Sequence, residues 1–504
     1  MNKEITHGSE ARARIKAGID KACEAVAPTL GAVGMTAMIE FPGLDPIDAD
    51  DGVTILKHIE LHDKYENMGV QRLRKAATRT SEEGGDGTAT TTVLTQALVT
   101  EAFKEIENDS SKIREVRERL QSGLTEVLAE LSKNKREVTE EDIERIATIS
   151  SLDPEVAKLI AEVIKEIGVD GVVTVEKGAQ LGYTKEVVKG ARFDSGLISP
   201  FFINDHEKKQ TVLEDAYIVL VDRKVSMNEQ IIGLLNSIGT GNDILFIATD
   251  VESVALGTLA QNAQSGIANI GCVRNPYQAS PARDFLFDIA SLTGAKVISE
   301  EMGMKLHECG VEVCGRAEKV IITRDTTTII GGVADASLEI RIKEIESEIK
   351  ETTSVYQKEQ LKARLAQLTG GIGVIRVGAY TDTEFNAKQY KFQNAINATQ
   401  AALQEGIIAG GGVALAQCKV KEPMFREILD VPLRQMSKNA GVPWEENIKA
   451  GWGMDFKNKM TMDMFEAGII DPFKVTRLAL ESATAIASSL VGTETVIVSI
   501  DEQE

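Results

Sequence analysis

Gly84-Gly85-Asp86-Gly87-Thr88-Ala89-Thr90-Thr91-Thr92 is followed by Val93, Leu94, Ala97 and Leu98 at helical spacing. Glycines let backbone N–H groups approach an anion closely, and a helix start supplies unpaired donors with a favourable dipole. The threonine hydroxyls add donors, and Asp86 has the chemistry to hold Mg2+ against phosphates. Taken alone, the stretch serves equally as a glycine-rich turn whose threonines cap a helix. It is not a Walker A loop, because no Gly-Lys-Ser/Thr follows. Its small residues predict a loop over residues 84–92 and a new helix from Val93.

Upstream of the loop, Ile15, Ile19, Cys23 and Val26 predict a helix that Pro28 closes. Thr29 to Gly34 reads as a turn, and Ala37-Met38-Ile39-Glu40 as a strand. Asp50-Asp51-Gly52 offers a carboxylate that positions a metal or a water beside a phosphate, or a plain Asp-Gly turn. Downstream, helices are predicted over residues 111–133 and 139–167. From Gly171 the character changes to short β-branched runs, among them Val172–Val175, Tyr217–Leu220, Ile244–Ile247 and Lys319–Ile322. Helical stretches separate them, which predicts an α/β domain inserted between helical regions. Leu338, Ile342, Ile345 and Ile349, then Leu361, Leu365 and Leu368, predict a helical hairpin. Beyond Gly370-Gly371 the chain alternates at Val374–Val377, then turns helical again, with Gly410-Gly411-Gly412 as an interruption. The last hundred residues share the character of the first 130, so a discontinuous outer domain is expected.

A chain of 504 residues exceeds what one core serves, so two or three domains are expected. The formal charge of −21 argues against a nucleic-acid partner, which needs a basic face. No uncharged run is apolar enough for a bilayer, so no membrane partner is expected. Met1 to Thr6 shows no apolar signal core. The five cysteines (Cys23, Cys272, Cys309, Cys314 and Cys418) are scattered without paired spacing. That pattern predicts neither a disulfide framework nor a zinc site, and fits a reducing cytoplasm. His58 and His62 flank Glu60 but lack a third ligand, so no metal is expected there.

Taken in order, the motifs carry a resemblance. Thr29-Leu30-Gly31, Asp51-Gly52-Val53, Tyr65-Glu66-Asn67-Met68-Gly69, Gly85-Asp86-Gly87-Thr88, Glu405-Gly406, Ala409 to Leu415, and Asp471-Pro472 resemble the group I (GroEL-like) chaperonins. So do Leu197 to Asn204, Val297 to Glu301 and Asp325 to Ile330, so the likeness covers essentially the whole chain.

The resemblance implies a multi-domain α/β and α fold of chaperonin architecture. Residues 1–133 and 405–504 would form a helical equatorial ATP-binding domain. Residues 134–189 and 372–404 would form a small intermediate domain, and 190–371 an inserted α/β apical domain. Thr29, Leu30 and Gly31 would wrap the phosphates of ATP. Asp86 would ligate Mg2+, and Gly87, Thr88, Thr90 and Thr91 would contact phosphate oxygens. Gly411 would pack on the nucleoside, Asp471 would hold the ribose, and Asp51 would orient the attacking water. K+ is a further expected ion. Leu197, Phe201, Phe202, Ile232, Leu235, Leu256 and Gln261 would face non-native polypeptides, although core packing accounts equally for Leu197, Phe201 and Phe202. Gly190, Gly371 and Gly406 would be hinges. The expected assembly is a homo-oligomeric ring, heptameric, single or double, with a lid co-chaperonin as a further partner.

The chain also departs from the family pattern. Asn394 stands where the family carries a hydrolytic aspartate. Asn hydrogen-bonds a water but cannot take its proton, so slow ATP hydrolysis is expected. Asp455-Phe456-Lys457 replaces the adenine-contacting Asn and two small residues. Ala260 and Gln261 replace branched apolar residues in the polypeptide groove. Three functions stay open: an ATP-driven folding ring, a ring that holds unfolded chains with nucleotide as a ligand, and a metabolic phosphotransferase.

Overall fold

Asp63 opens a long helix by accepting the Tyr65 and Glu66 amides at 2.8 and 3.1 Å. That helix, Lys64–Gly84, packs between Gly8–Val26 and the pair Thr88–Ile106 and Phe473–Val491. The backbones meet closely: a Cβ on Gly69 would lie 2.1 Å from the Ile15 carbonyl oxygen. Ile19, Leu56, Tyr65, Leu73, Leu94, Leu98, Leu120 and Ile486 form the shared core. The computed structural model describes residues 2–500 apart from 41–45, 108, 152, 169–170, 179, 207, 279, 333–335, 353, 355–356, 359–360, 362–363, 366–367 and 445–448.

The chain divides into two units, Met1–Ala161 with Asp382–Glu504, and Glu162–Thr381. The first is helical and built from both ends of the sequence. Its termini are joined by an antiparallel pair, Asn2–His7 with Thr495–Ile500.

The second unit carries a nine-stranded mixed sheet among its described residues. Tyr217, Ile244 and Asn269 start parallel ladders across three neighbouring strands, Thr211–Val225, Asp243–Val251 and Asn269–Arg274. Helices Asn228–Ile238, Ser253–Gln264 and Ser280–Thr293 cover the sheet, and apolar clusters lie on both its faces. Strands buried on both faces read as continuous apolar runs, which is why Ile244–Ile247 was legible. The first helix of the predicted hairpin is Ala336–Glu351; the second falls partly outside the described residues.

Two expectations about helices need correction. The helix predicted over 139–167 is two, Glu140–Ser151 and Pro154–Ile167. Pro154 disfavours helical geometry in the residue before it. Asp153 instead caps the second helix, accepting from Glu155 N at 2.9 Å. The helix expected from Val93 begins at Thr88, so most of the threonine run is helix rather than loop. Among the described residues no helix is long and apolar enough to cross a membrane.

Candidate functional site

The phosphate-loop candidate is a turn of three residues between two helices. Gly85 ends Lys64–Gly84 at φ +80° and Gly87 opens Thr88–Ile106 at φ +88°. Side chains rarely adopt such left-handed angles, and there is no room for them here. A Cβ on Gly85 would lie 2.4 Å from Ala398 N, and one on Gly87 2.6 Å from Val475 Cγ1. Gly-Asp-Gly is therefore the local answer to joining two helices tightly under a third.

The N-terminus of Thr88–Ile106 receives no side-chain cap among the described residues. Its first intrahelical bond runs from Thr91 N to Gly87 O at 2.8 Å. The amides of Thr88, Ala89 and Thr90 are thus the helix's free first-turn donors, an arrangement suited to an anion. Asp86 sits above them, its Oδ1 accepting from Gly87 N at 2.6 Å.

Other motifs converge on this turn. A Cβ on Gly52 would lie 2.9 Å from Thr88 Cγ2, so the Asp51-Gly52 turn abuts the helix start. Asp51 caps Gly52–His58, its Oδ1 accepting from Val53 N at 2.8 Å and Thr54 N at 3.0 Å. Asp471 lies on Ile470–Pro472, paired with Ile407–Ala409, and accepts from Gly411 N. Gly410 lies close enough that a Cβ there would be 3.0 Å from Asp471 Oδ1.

Electrostatics link the three carboxylates. Desolvation, then the Asp86 charge, push Asp471 up to about 7 against the opposing Gly411 bond. Crowding by protein raises Asp86 too, with Asp51 adding to the effect and the Gly87 amide opposing it. Asp86 nonetheless opens to solvent on one side, which gives a cation access. Among the described residues no cluster of three or more His, Cys, Asp or Glu is gathered to hold a metal unaided. Mg2+ commonly takes one or two carboxylates and completes its shell with phosphate oxygens and water, so Asp86 fits that ion when phosphates share the site.

The Thr29-Leu30-Gly31 segment is tied in by residues that sequence reasoning missed. Asn439 Nδ2 donates to Ala27 O and Leu30 O, each at 2.9 Å. Met436 lies against both Gly31 and Gly412, whose added Cβ atoms would meet it at 2.7 and 3.2 Å. Leu30 is buried with Val93, Leu433 and Phe456, and Thr29 Oγ1 donates to Val26 O. Gly411 faces Met464 and Ile469. No motif marked Asn439 or Met436, because Ala27, Leu30 and Gly31 lie some four hundred residues away from them.

Two expected ligands are committed elsewhere. Thr91 is fully buried and its hydroxyl donates to Thr80 Oγ1 at 3.1 Å, so helix packing takes the group expected on phosphate. Thr88 is nearly buried and Thr90 half-buried at the turn. Asp455 is buried and accepts from Lys457 N, Asn458 N and Asn458 Nδ2 at 2.9, 3.2 and 2.6 Å. It builds its own hairpin turn instead of presenting a carboxylate to a base.

Asn394 lies on Asp382–Glu405, one turn before Ala398, the residue against Gly85. Tyr390, one turn earlier still, donates its hydroxyl to Asp51 Oδ1 at 2.9 Å. This helix therefore already reaches Asp51 and the Gly85 turn. Gly406 ends it at φ +86°.

In the second unit, Phe201 and Ile232 are 59% and 46% exposed, while Leu235 and Leu256 are half-buried and Gln261 is exposed. Phe202 is 2% exposed and belongs to the core, and Leu197 packs against both core clusters. The expected polypeptide-facing role of Phe202 is thus corrected to core packing. A cleft of about 500 Å3 lies beside Phe201, lined also by Asn204, His206, Gln264 and Asn269.

Gly190 and Gly371 sit inside the sheet, paired with Ile330 and Lys189. A Cβ on Gly190 would lie 2.2 Å from Ile372 Cδ1. Close packing requires glycine there.

A family model of the TCP-1/cpn60 chaperonin family matches residues 23–422. The chain belongs to the TCP-1/cpn60 chaperonin family. This chaperonin is a divergent, GroEL-like member with the multi-domain α/β and α architecture expected from its motifs. Two solved structures similar to it are of the chaperonin gp146 from the bacteriophage EL 2 (Pseudomonas aeruginosa) in the presence of ATP-BeFx. Crystal form II shares 21% identity at a TM-score of 0.73, and crystal form I 20% at 0.66. Each comparison covers 99% of both chains.

Proposed function

We propose that this chaperonin is a ring subunit that binds ATP, hydrolyses it slowly, and uses it to move an apolar surface that captures non-native polypeptides. The observation that carries the reading is the Gly85-Asp86-Gly87 turn at an uncapped helix start, with Asp51 and Asp471 beside it. The presence of ATP-BeFx in the phage chaperonin crystals supports the choice of nucleotide.

In this reading the amides of Thr88, Ala89 and Thr90 receive phosphate oxygens, with Thr29, Leu30 and Gly31 closing over them. Asp86 holds Mg2+, which when bound offsets phosphate charge and orients the terminal phosphoryl group. Asp471 takes the ribose, and K+ is a further ligand of the phosphates. Asp51 orients the attacking water. Asn394 hydrogen-bonds that water without accepting its proton, so catalysis rests on positioning and charge. Residues 1–133 and 405–504 act as the equatorial domain, 134–189 and 372–404 as the intermediate one, and 190–371 as the apical one. Phe201 and Ile232 offer the apolar surface. The ring is heptameric, in one or two layers.

Asn394 also favours a second reading, a ring that holds unfolded chains with nucleotide as a ligand. Single-turnover hydrolysis by the wild type beside Asn394→Asp separates the two. The expected result is slow wild-type turnover, raised about 100-fold or more in Asn394→Asp. A fast wild-type rate, unchanged in the variant, removes the argument for slowness. ATP binding without turnover in either protein supports the holding ring, and no binding at all rejects the nucleotide site. Sedimentation that finds a stable monomer rejects the ring.

A further inference from the structure

Tyr390 lies outside the motifs that carry the resemblance. It lies four residues before Asn394 on Asp382–Glu405, so the two side chains leave the same helical face. Its hydroxyl donates to Asp51 Oδ1, the oxygen that also accepts from Val53 N and Thr54 N. The Asn394 and Ser81 side chains lie beside the same phenol. Ser81 in turn sits in the last turn of Lys64–Gly84, and its carbonyl accepts from Gly85 N at 2.7 Å. The phenol therefore ties the helix that carries Asn394 to the Asp51 turn, with the last turn of Lys64–Gly84 beside it.

The consequence for Asp51 is geometric. Three donors converge on Oδ1, and among the described hydrogen bonds none is made to Oδ2. The two amides reach Oδ1 from the helix start and the phenol reaches it from Asp382–Glu405, so this oxygen is held from two elements while Oδ2 is left for another partner. Burial and the Asp51 charge both push the Tyr390 pKa upward, so the group keeps its proton and remains a donor at any ordinary pH.

We propose that Tyr390 is a positioning residue for ATP hydrolysis, holding Asp51 by Oδ1 so that Oδ2 faces the attacking water, and tying the helix that carries Asn394 to the same carboxylate. The inference rests on the site being an ATP-hydrolysing one. In that step the water oxygen bonds to the γ-phosphorus as the bond to the β–γ bridging oxygen breaks. One water proton leaves by way of Asp51 Oδ2, and ADP and inorganic phosphate result. Tyr390 exchanges no atom. It restores through geometry part of what Asn394 lacks as a base, since a displacement near 1 Å at a reacting group costs up to about 100-fold in rate.

The test uses the full-length protein and Tyr390→Phe, which keeps the ring and removes one oxygen. The expected result is a kcat for ATP lowered about tenfold with KM and ATP affinity unchanged, because Tyr390 does not touch the nucleotide. In an Asp51→Asn background the same change should cost less than about twofold, because the residue acts through Asp51. A strut of the fold would instead raise KM or lower stability equally in both backgrounds. Wild-type turnover with an unaltered kcat in Tyr390→Phe overturns the role of Tyr390 and leaves the ATPase reading standing. An equal loss in both backgrounds also overturns it. Wild-type protein that binds ATP without turnover overturns the hydrolytic reading and Tyr390's role together.

Discussion

Replacing Asp471 by Asn should stabilise the ligand-free protein at pH 8 and leave it unchanged near pH 4. The carboxyl is pushed from the ordinary 3.8 up to about 7, first by desolvation and then by the charge of Asp86. Because the folded-state value is raised, the native chain binds the proton more tightly than the unfolded one. The stability this supplies is fully present below 3.8 and is lost as pH rises through about 7. With a tenfold change in ionisation worth about 1.4 kcal/mol, the upper limit of the penalty at pH 8 is about 4 kcal/mol. Solvent reaches the neighbouring Asp86, so about 2 kcal/mol is the expected gain in Asp471→Asn. Asn keeps an oxygen for Gly411 N, so the hydrogen bond survives. Both tryptophans, Trp444 and Trp452, fall in the same unit as Asp471, so their fluorescence during urea unfolding follows that unit. A midpoint shift of equal size at pH 4 and pH 8, or a loss of stability at pH 8, would refute the argument.

Phe201→Ser and Ile232→Ser should each weaken capture of an unfolded client by about 1–2 kcal/mol, read by suppression of client aggregation, with folding intact. Phe202→Ala should instead destabilise its unit by about 3–5 kcal/mol, since its side chain lies in the core. Gly85→Ala should cost at least about 1–2 kcal/mol for the left-handed backbone alone, and more for the clash with Ala398 N. Isothermal titration should then show weaker ATP binding, and wild-type affinity in that variant would contradict the tight-turn account.

Much of the site was readable because its chemistry is local. Gly85 and Gly87 need left-handed angles on either side of Asp86, and short-range sterics impose that on any chain joining these two helices. Asp51 caps the helix immediately after it, again within three residues. The break at Asp153-Pro154 was equally local and was still misjudged, because the charged face on either side reads as one periodic run. Thr91, Asp455 and Phe202 were misassigned for another cause. Each suits its expected role in residue type, but Thr80, the Asp455 turn and the core of the second unit satisfy it first.

By itself the sequence determined the family and the glycine-aspartate turn, since these depend on residue identity, spacing and backbone angles. Only the tertiary structure decided which polar groups remain free. A hydrogen bond such as Tyr390 to Asp51 joins residues 339 apart, and no local pattern encodes it. The raised pKa of Asp471 likewise arises from burial and a neighbouring charge that exist only once the two ends of the chain have folded together.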